Sequence, residues 1–267
     1  MPPYPNLISD SLLICETIQL LQSLGGRASA VKVVDYVMKI RKPEPNLAKL
    51  LVLDLVETDP RLHLNDDIVE LKSLGHDSRN LFETDFVVFD LETTGAKSPP
   101  CRVTEIGAFR VKDGEITEEF QTLVNPEMPI PMFISQLTGI TDSMVRNAPK
   151  FSEVADKFLD FIGDSVLVAH NAPFDMKFLN HEIGRIYTDY RVANPHLCTV
   201  KLSRKLNRNV LNHRLNTLAE YYSVSLENHH RASDDARATA HIFVNLLNEL
   251  QILGIKDLAA AQKLKHI

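Results

Sequence analysis

The run FVVFDLETTG, residues 86 to 95, sets two carboxylates, Asp90 and Glu92, two positions apart at the end of an apolar stretch with strand character. Residues i and i+2 of a strand share a face, so the two acids project together. Carboxylates that close hold each other protonated unless a cation lies between them. A strand end reaching solvent is the plain alternative. The Thr-Thr-Gly that follows favours a ligand, because glycine lets the backbone turn tightly and lets a ligand come close.

Two later stretches carry chemistry of the same kind. In LVAHNAPFD, residues 167 to 175, a short apolar strand gives way to His170 and Asn171, and Pro173 suits the first turn of a helix. Asp175 then falls in register with Phe178 and Leu179 and so lies on or beside the buried stripe, although an acid there also compensates the helix dipole. In HHRASDDARATAHIFVNLL, residues 229 to 247, a histidine precedes an aspartate by five positions in two frames. Asp234 aligns with Ala238, His241 and Asn245, a mostly polar face. Asp235 aligns with Thr239, Ile242 and Leu246 and therefore points inward, with His230 just ahead of the helix on its side. A capping arrangement with a surface histidine is the alternative.

The elements that must position these residues follow from periodicity. Strands are expected at 86–91, 103–111, 117–124 and 165–169, with helices near 152–162, 173–186, 198–205, 214–222 and 233–249. That order means an α/β fold with a mixed sheet. It brings Asp90, Glu92, Asp175 and Asp235 inward with no inward Lys or Arg evident in these motifs. Burying four unpaired carboxylates is untenable, and metal ions are the natural remedy. Oxygen-only ligands favour Mg²⁺ or Mn²⁺ over Zn²⁺.

DLETTG, HNAPFD and HRASDDARATA, in this order, resemble the DnaQ-like exonucleases of the DEDDh class. That group includes the proofreading ε subunit of bacterial DNA polymerase III and the exonuclease domain of the Gram-positive replicative polymerase. TEIGAFRV, LVNPEMPIP, LTGITDSMV, CTVKLSR and LNTLAEYYSV are similar as well, so the resemblance runs from about Phe86 to Leu250. It implies an RNase H-like fold with a five-stranded mixed sheet flanked by helices. It implies that Asp90, Glu92, Asp175 and Asp235 hold two Mg²⁺ or Mn²⁺ ions and that His230 is the general base. It further implies that Thr93 and Gly95 lie along the terminal nucleotide and that His170, Asn171 and Phe174 line its pocket. Two metals can stabilise both the attacking and the leaving oxygen at phosphorus. One departure is Thr138, where the ε subunit has His; it bears on packing of the terminal base.

Residues 1–72 read as three helices and a hairpin, a small winged-helix-like module on architecture alone. SLLICETIQLLQSLGG has Ser11 as cap, ASAVKVVDYVMKI follows, and NLAKLLVLDLVE starts at the cap candidate Asn46. RLHL and IVEL flank a turn. Residues 73–85 read as linker, 86–250 as the exonuclease domain and 251–267 as a helical tail. Residues 27–49 hold six bases against two acids, whereas the third helix is apolar nearly all round. Such a helix suits burial or docking on a polymerase or repair partner better than base reading.

A net charge of −6 argues against a protein that coats nucleic acid through bulk positive potential. Cys15, Cys101 and Cys198 lie far apart with no zinc spacing. No apolar run approaches the roughly 20 residues that span a bilayer, so a cytoplasmic protein with no membrane association is expected. The leading expectation is a metal-dependent 3′–5′ exonuclease that takes a single-stranded 3′ end, DNA favoured, in proofreading or repair. The alternatives are a 3′–5′ exoribonuclease and a noncatalytic adaptor on a nuclease scaffold.

Overall fold

The computed structural model describes residues 2–72, 79–207 and 209–264. Part of the expected linker, 73–78, and the end of the expected tail, 265–267, lie outside the described residues. The chain forms two compact units, Met1–Gly75 with Tyr187–Ala193, and His76–Ile186 with Asn194–Ile267.

In the first unit, β1 (Leu7–Ser9) pairs antiparallel with β9 (Tyr190–Val192). Helix α1 (Leu12–Ser23) starts where the Ser11 hydroxyl accepts from the Ile14 amide, and stops at Gly25 and Gly26, whose φ of 79° and 94° suits glycine. β2 (Arg27–Ser29), α2 (Ala30–Val37), α3 (Pro45–Glu57), β3 (Leu62–Asn65) and β4 (Ile68–Leu71) follow. The three strands form an antiparallel sheet in the order β2-β4-β3. Ile14, Leu21, Val33, Ala48, Val52 and Val69 fill the core. The cap of α3 differs from expectation: Pro45 takes the first helical position, and the Glu44 carboxylate, not Asn46, accepts the Leu47 amide at 3.0 Å. Nor is α3 buried all round. Ala48, Val52 and Leu55 are, while Leu47, Leu50 and Leu53 face outward.

The second unit is built on β5 (Phe86–Thr93), β6 (Val103–Lys112), β7 (Glu115–Leu123), β8 (Val166–Ala169) and β10 (His196–Cys198), in the order β10-β8-β5-β6-β7. β5, β6 and β7 form an antiparallel meander, closed between β6 and β7 by Asp113 and Gly114 at φ 52° and 79°. β8 and β10 run parallel to β5. Short helices α4 (Met132–Thr138) and α5 (Asp142–Val145) precede α6 (Phe151–Ile162), α7 (Ala172–Ile186), α8 (Thr199–Leu206), α9 (Leu215–Tyr221), α10 (Ala232–Ile252) and α11 (Leu258–Gln262).

Alternation along β5 sorts the layers. Phe86 and Val88 face α10, where Phe243 meets Phe86 with ring centroids 4.8 Å apart. Phe89 faces the other way, toward Phe158 of α6. Asp90 and Glu92 continue the even-numbered set and so emerge on the α10 side. Helix α10 lies close on the sheet because Ala232, Ala236 and Ala240 are small, and because Gly107 of β6 has no Cβ: one there would overlap the backbone of Ala232 and Ser233. Residues 79–85, expected as linker, pack on this unit instead. Leu81 is 1% exposed and its amide donates to Lys256.

Candidate active site

β5, β8 and β10 are parallel, so their C-terminal ends share one edge of the sheet, the usual place for a ligand crevice in such sheets. Asp90, Glu92 and Thr93 end β5, His170 follows β8, and Thr199 follows β10. A cleft of about 260 Å³ opens there. Asp90, Glu92, Thr93, Gly95, His170, Phe174, Asp175, His230 and Asp235 line it, together with Ile134, Leu137 and Thr138 of α4. Nine of the ten site residues expected from sequence are thus brought together. Asn171 is not: it is exposed, adopts φ 72° and makes the turn whose carbonyl accepts the Phe174 amide.

Ligand oxygens of Asp90, Glu92 and Asp235 lie within 4.8 Å of one another. Asp175 of α7, 2% exposed, accepts the Leu91 amide at 3.3 Å, which fixes it against β5. Burial first, then the charges of Asp175, Glu92, Asp235 and Glu105, push Asp90 well above the usual carboxylate range. Burial, then Asp235 and Glu105, push Glu92 up to about 8. Burial also raises Asp175, against the pull of its backbone hydrogen bonds. A set of oxygen donors that cannot all ionise together has the chemistry of a divalent-cation site, and Mg²⁺ or Mn²⁺ fits the residues present.

Both histidines of the third motif meet Asp235. The His230 amide donates to Oδ2 at 3.1 Å, and its ring lines the cleft. His229, which the alternative frame would pair with Asp234, instead donates from Nδ1 to both Asp235 oxygens at 3.0 and 3.1 Å. The left-handed φ of 70° at His230 folds the chain so that the two rings stack, centroids 3.9 Å apart. Burial, then His229, lowers the His230 pKa, with Asp235 opposing. Asp234 takes Asn228 at 3.0 Å, away from the cleft lining.

The expectation of no inward base needs correcting. Arg231 points in, but toward a fifth carboxylate, Glu105, which is 1% exposed and sits opposite Glu92 on β6. A second buried pair mirrors it: Arg102, just before β6, donates to Glu182 of α7 at 2.6 and 3.0 Å. Each acid-bearing helix, α7 and α10, is therefore fastened to the start of β6 by an Arg–Glu pair, and the pairs set where Asp175 and Asp235 stand. Nothing in the sequence singles out Glu105, because it comes beside Glu92 only where β6 pairs with β5. The α4 wall was legible in the spacing Ile134, Leu137, Thr138, which is helical but short.

His170 is held by Thr199, Nδ1 to Oγ1 at 2.9 Å. Burial drops its pKa to about 4, so the ring is neutral near pH 7. Thr93 Oγ1 donates to the Gly95 carbonyl at 2.7 Å, tightening the loop after β5. A Cβ on Gly95 would come within 2.8 Å of Cys101 Sγ, which accounts for a glycine there. Thr138 Oγ1 donates to the Ile134 carbonyl and accepts the Ile140 amide, so it closes the end of α4.

An acid-lined cleft at this edge of a helix-flanked mixed sheet defines a nuclease scaffold of the RNase H-like fold. Residues 87–243 match the RNase_T family, described as exonuclease, and the chain belongs to that family. It is 46% identical over 183 residues to the PolC-type DNA polymerase III of Caldanaerobacter subterraneus subsp. tengcongensis, covering 68% of this chain and 13% of that protein. The PolC-type polymerase of Bacillus subtilis is 42% identical over 178 residues, 67% and 12% of the two chains. The chain thus spans a small fraction of the relatives it matches. Among solved structures, exonuclease X in complex with 5′ overhanging duplex DNA superposes with a TM-score of 0.51 and 27% identity, over 61% of this chain and 91% of that one. E. coli exonuclease I with a dT13 oligonucleotide, at 0.56 and 18% over 64% and 42%, shares the fold.

Proposed function

We propose that this chain is a metal-dependent 3′–5′ exonuclease that shortens single-stranded DNA from its 3′ end, releasing nucleoside 5′-monophosphates, in replication proofreading or repair. The observation that carries the reading is the convergence of Asp90, Glu92 and Asp235 within 4.8 Å, backed by Asp175 and flanked by His230. DNA as substrate draws on the PolC-type relatives and on exonuclease X. The same relatives support a polymerase context, and a cytoplasmic location belongs to that reading.

Asp90, Glu92, Asp175 and Asp235 would hold two Mg²⁺ or Mn²⁺ ions. When bound, the ions supply positive charge to a phosphodiester under attack. The remaining work falls to the chain. His230, its pKa lowered by burial, is neutral near pH 7 and takes the proton of the attacking water on its imidazole nitrogen. Ile134, Leu137 and Phe174 give the terminal nucleoside an apolar wall, and the Thr93–Gly95 loop lies along it. His170, kept neutral, presents a polar surface without adding charge to the pocket.

After β1, the first unit runs helix, strand, helix, helix, strand, strand. That order supports a winged-helix-like module, and the outward leucines of α3 support docking on a protein partner over base reading.

The test uses 5′-labelled single-stranded DNA and RNA with Mg²⁺ or Mn²⁺, beside Asp90→Ala. Shortening of DNA from the 3′ end in the wild type alone is the expected result. Preference for RNA would reassign the chain to RNA turnover. Cleavage of neither would leave an adaptor on a nuclease scaffold.

A further inference from the structure

Acids outnumber bases in this chain by 35 to 29, yet from Asn194 to Ala219 there is no Asp or Glu, while Lys201, Arg204, Lys205, Arg208 and Arg214 all fall there. The segment spans β10, α8 and the approach to α9. Among the described residues, no carboxylate pairs with Lys201, Arg204, Lys205 or Arg214. Elsewhere in the same unit Arg102, Arg110, Arg231 and Arg237 each hold one. Bases without a carboxylate partner among the described residues also stand elsewhere in the unit, at Lys97, Arg146, Lys157 and Lys177, but singly; here several cluster in a stretch that holds no acid.

α8 turns Thr199, Leu202 and Ser203 inward and leaves Lys201 and Arg204 exposed with Lys205 half-buried. Two histidines feel the uncompensated charge. Burial and then Lys201 lower the pKa of His196, and burial and then Arg204 lower that of His213.

The segment is tied to the cleft at its start, where His170, in the cleft wall, bonds Thr199 at the start of α8 at 2.9 Å. The His213 ring closes the loop back onto Ser203 at 3.0 Å. Lys201 and Lys205 stand within two helical turns of Thr199, on the order of 10 Å along the axis. They border a groove of about 230 Å³ shared with His196 and Gln262.

We propose that this segment is the track for the phosphodiester backbone of the strand whose 3′ end enters the cleft. Lys201, Arg204, Lys205 and Arg214 engage phosphates upstream of the terminal nucleotide. The inference rests on the nuclease reading of the cleft. It explains how a chain of net negative charge holds a polyanion: positive charge is concentrated beside the site and left unpaired to meet phosphate.

The test is equilibrium binding of a fluorescent oligothymidylate to the full chain in EDTA, which keeps cleavage off, across a range of salt concentrations. The triple variant K201Q/R204Q/K205Q alters exposed or half-exposed side chains only. Expected are a 10- to 100-fold loss of affinity at low salt and a slope of log K against log salt reduced by about 2, from three phosphate contacts at roughly 0.7 each. Dinucleotide hydrolysis, too short to reach the track, should be unchanged. Unchanged oligonucleotide affinity and slope would overturn the track, as would a wild type that binds no oligonucleotide. The two readings separate cleanly. A wild type that binds through these residues yet cleaves nothing supports the track and sinks the nuclease, and normal cleavage with an insensitive triple variant does the reverse.

Discussion

Arg231 grips Glu105 through two hydrogen bonds, Nε to Oε2 at 3.1 Å and a terminal nitrogen to Oε1 at 2.7 Å, and the Ala232 amide donates to the same Oε2 at 3.0 Å. One carboxylate of β6 thus caps the start of α10 and holds the turn that carries His230 and Asp235. Replacing Glu105 by Ala should cost about 3 kcal/mol in a urea unfolding titration, the lower end for breaking a buried pair, since Arg231 keeps some solvent. Turnover should fall more than substrate affinity, because Asp235 loses its place while the apolar wall stays. Glu105→Gln, which keeps the acceptor to Ala232, should recover part of both.

Gly107 allows the other half of that contact. Gly107→Ala would force its methyl into the Ala232 carbonyl and the Ser233 amide, which are backbone and cannot swing aside. Helix α10 must shift, with an expected loss of about 1–3 kcal/mol and a larger fall in kcat than the stability change implies. Thermal melts and turnover of the same preparation check it; a variant with wild-type kcat would show that α10 does not need this approach.

The acid cluster makes metal-free stability depend on pH with a definite sign. Glu92 is pushed up to about 8 in the fold against 4.5 for the unfolded chain. As the pH rises the unfolded chain sheds this proton first. The stability is therefore present below about pH 4.5 and is lost as the pH rises through 8. In EDTA, Glu92→Gln should flatten the fall in melting temperature between pH 5 and 8.5. In the wild type, the rise in melting temperature on adding Mg²⁺ should grow with pH.

His170 should act in the opposite direction. Its pKa is depressed to about 4 by burial, so its contribution is present above the ordinary histidine pKa and is lost as the pH falls toward 4. Subtracting the stability profile of His170→Asn from the wild type should leave a curve that declines below pH 6.5. A flat difference would mean that the ring reaches solvent.

Much of this is legible in the sequence itself. The long elements announced themselves by period: α10, α7 and α6 each place a continuous apolar stripe, and β5 ends in two acids on one face. Helical register alone separated Asp235 from Asp234. What escaped had little periodicity or needed a neighbour. β1, β9, β2 and β10 are three residues each, too short for alternation to register. The pairing of Glu105 with Arg231 spans 126 positions and exists only once β6 lies beside β5. Asn171 was a pocket residue by the family resemblance alone, and the turn it makes leaves it exposed and outside the cleft lining. His229 fell in the other frame, opposite Asp234, and its bond to Asp235 depends on the left-handed turn at His230, which spacing does not reveal.

The central claim is that the carboxylates of β5, α7 and α10 form one divalent-cation site, and calorimetric titration of the metal-free protein with Mn²⁺ at pH 8 tests it most directly. The wild type should bind two ions, and Asp90→Asn and Asp235→Asn should each lose at least one while Asp234→Asn binds as the wild type does. Mn²⁺ binding that is unchanged in Asp90→Asn and Asp235→Asn would contradict the account.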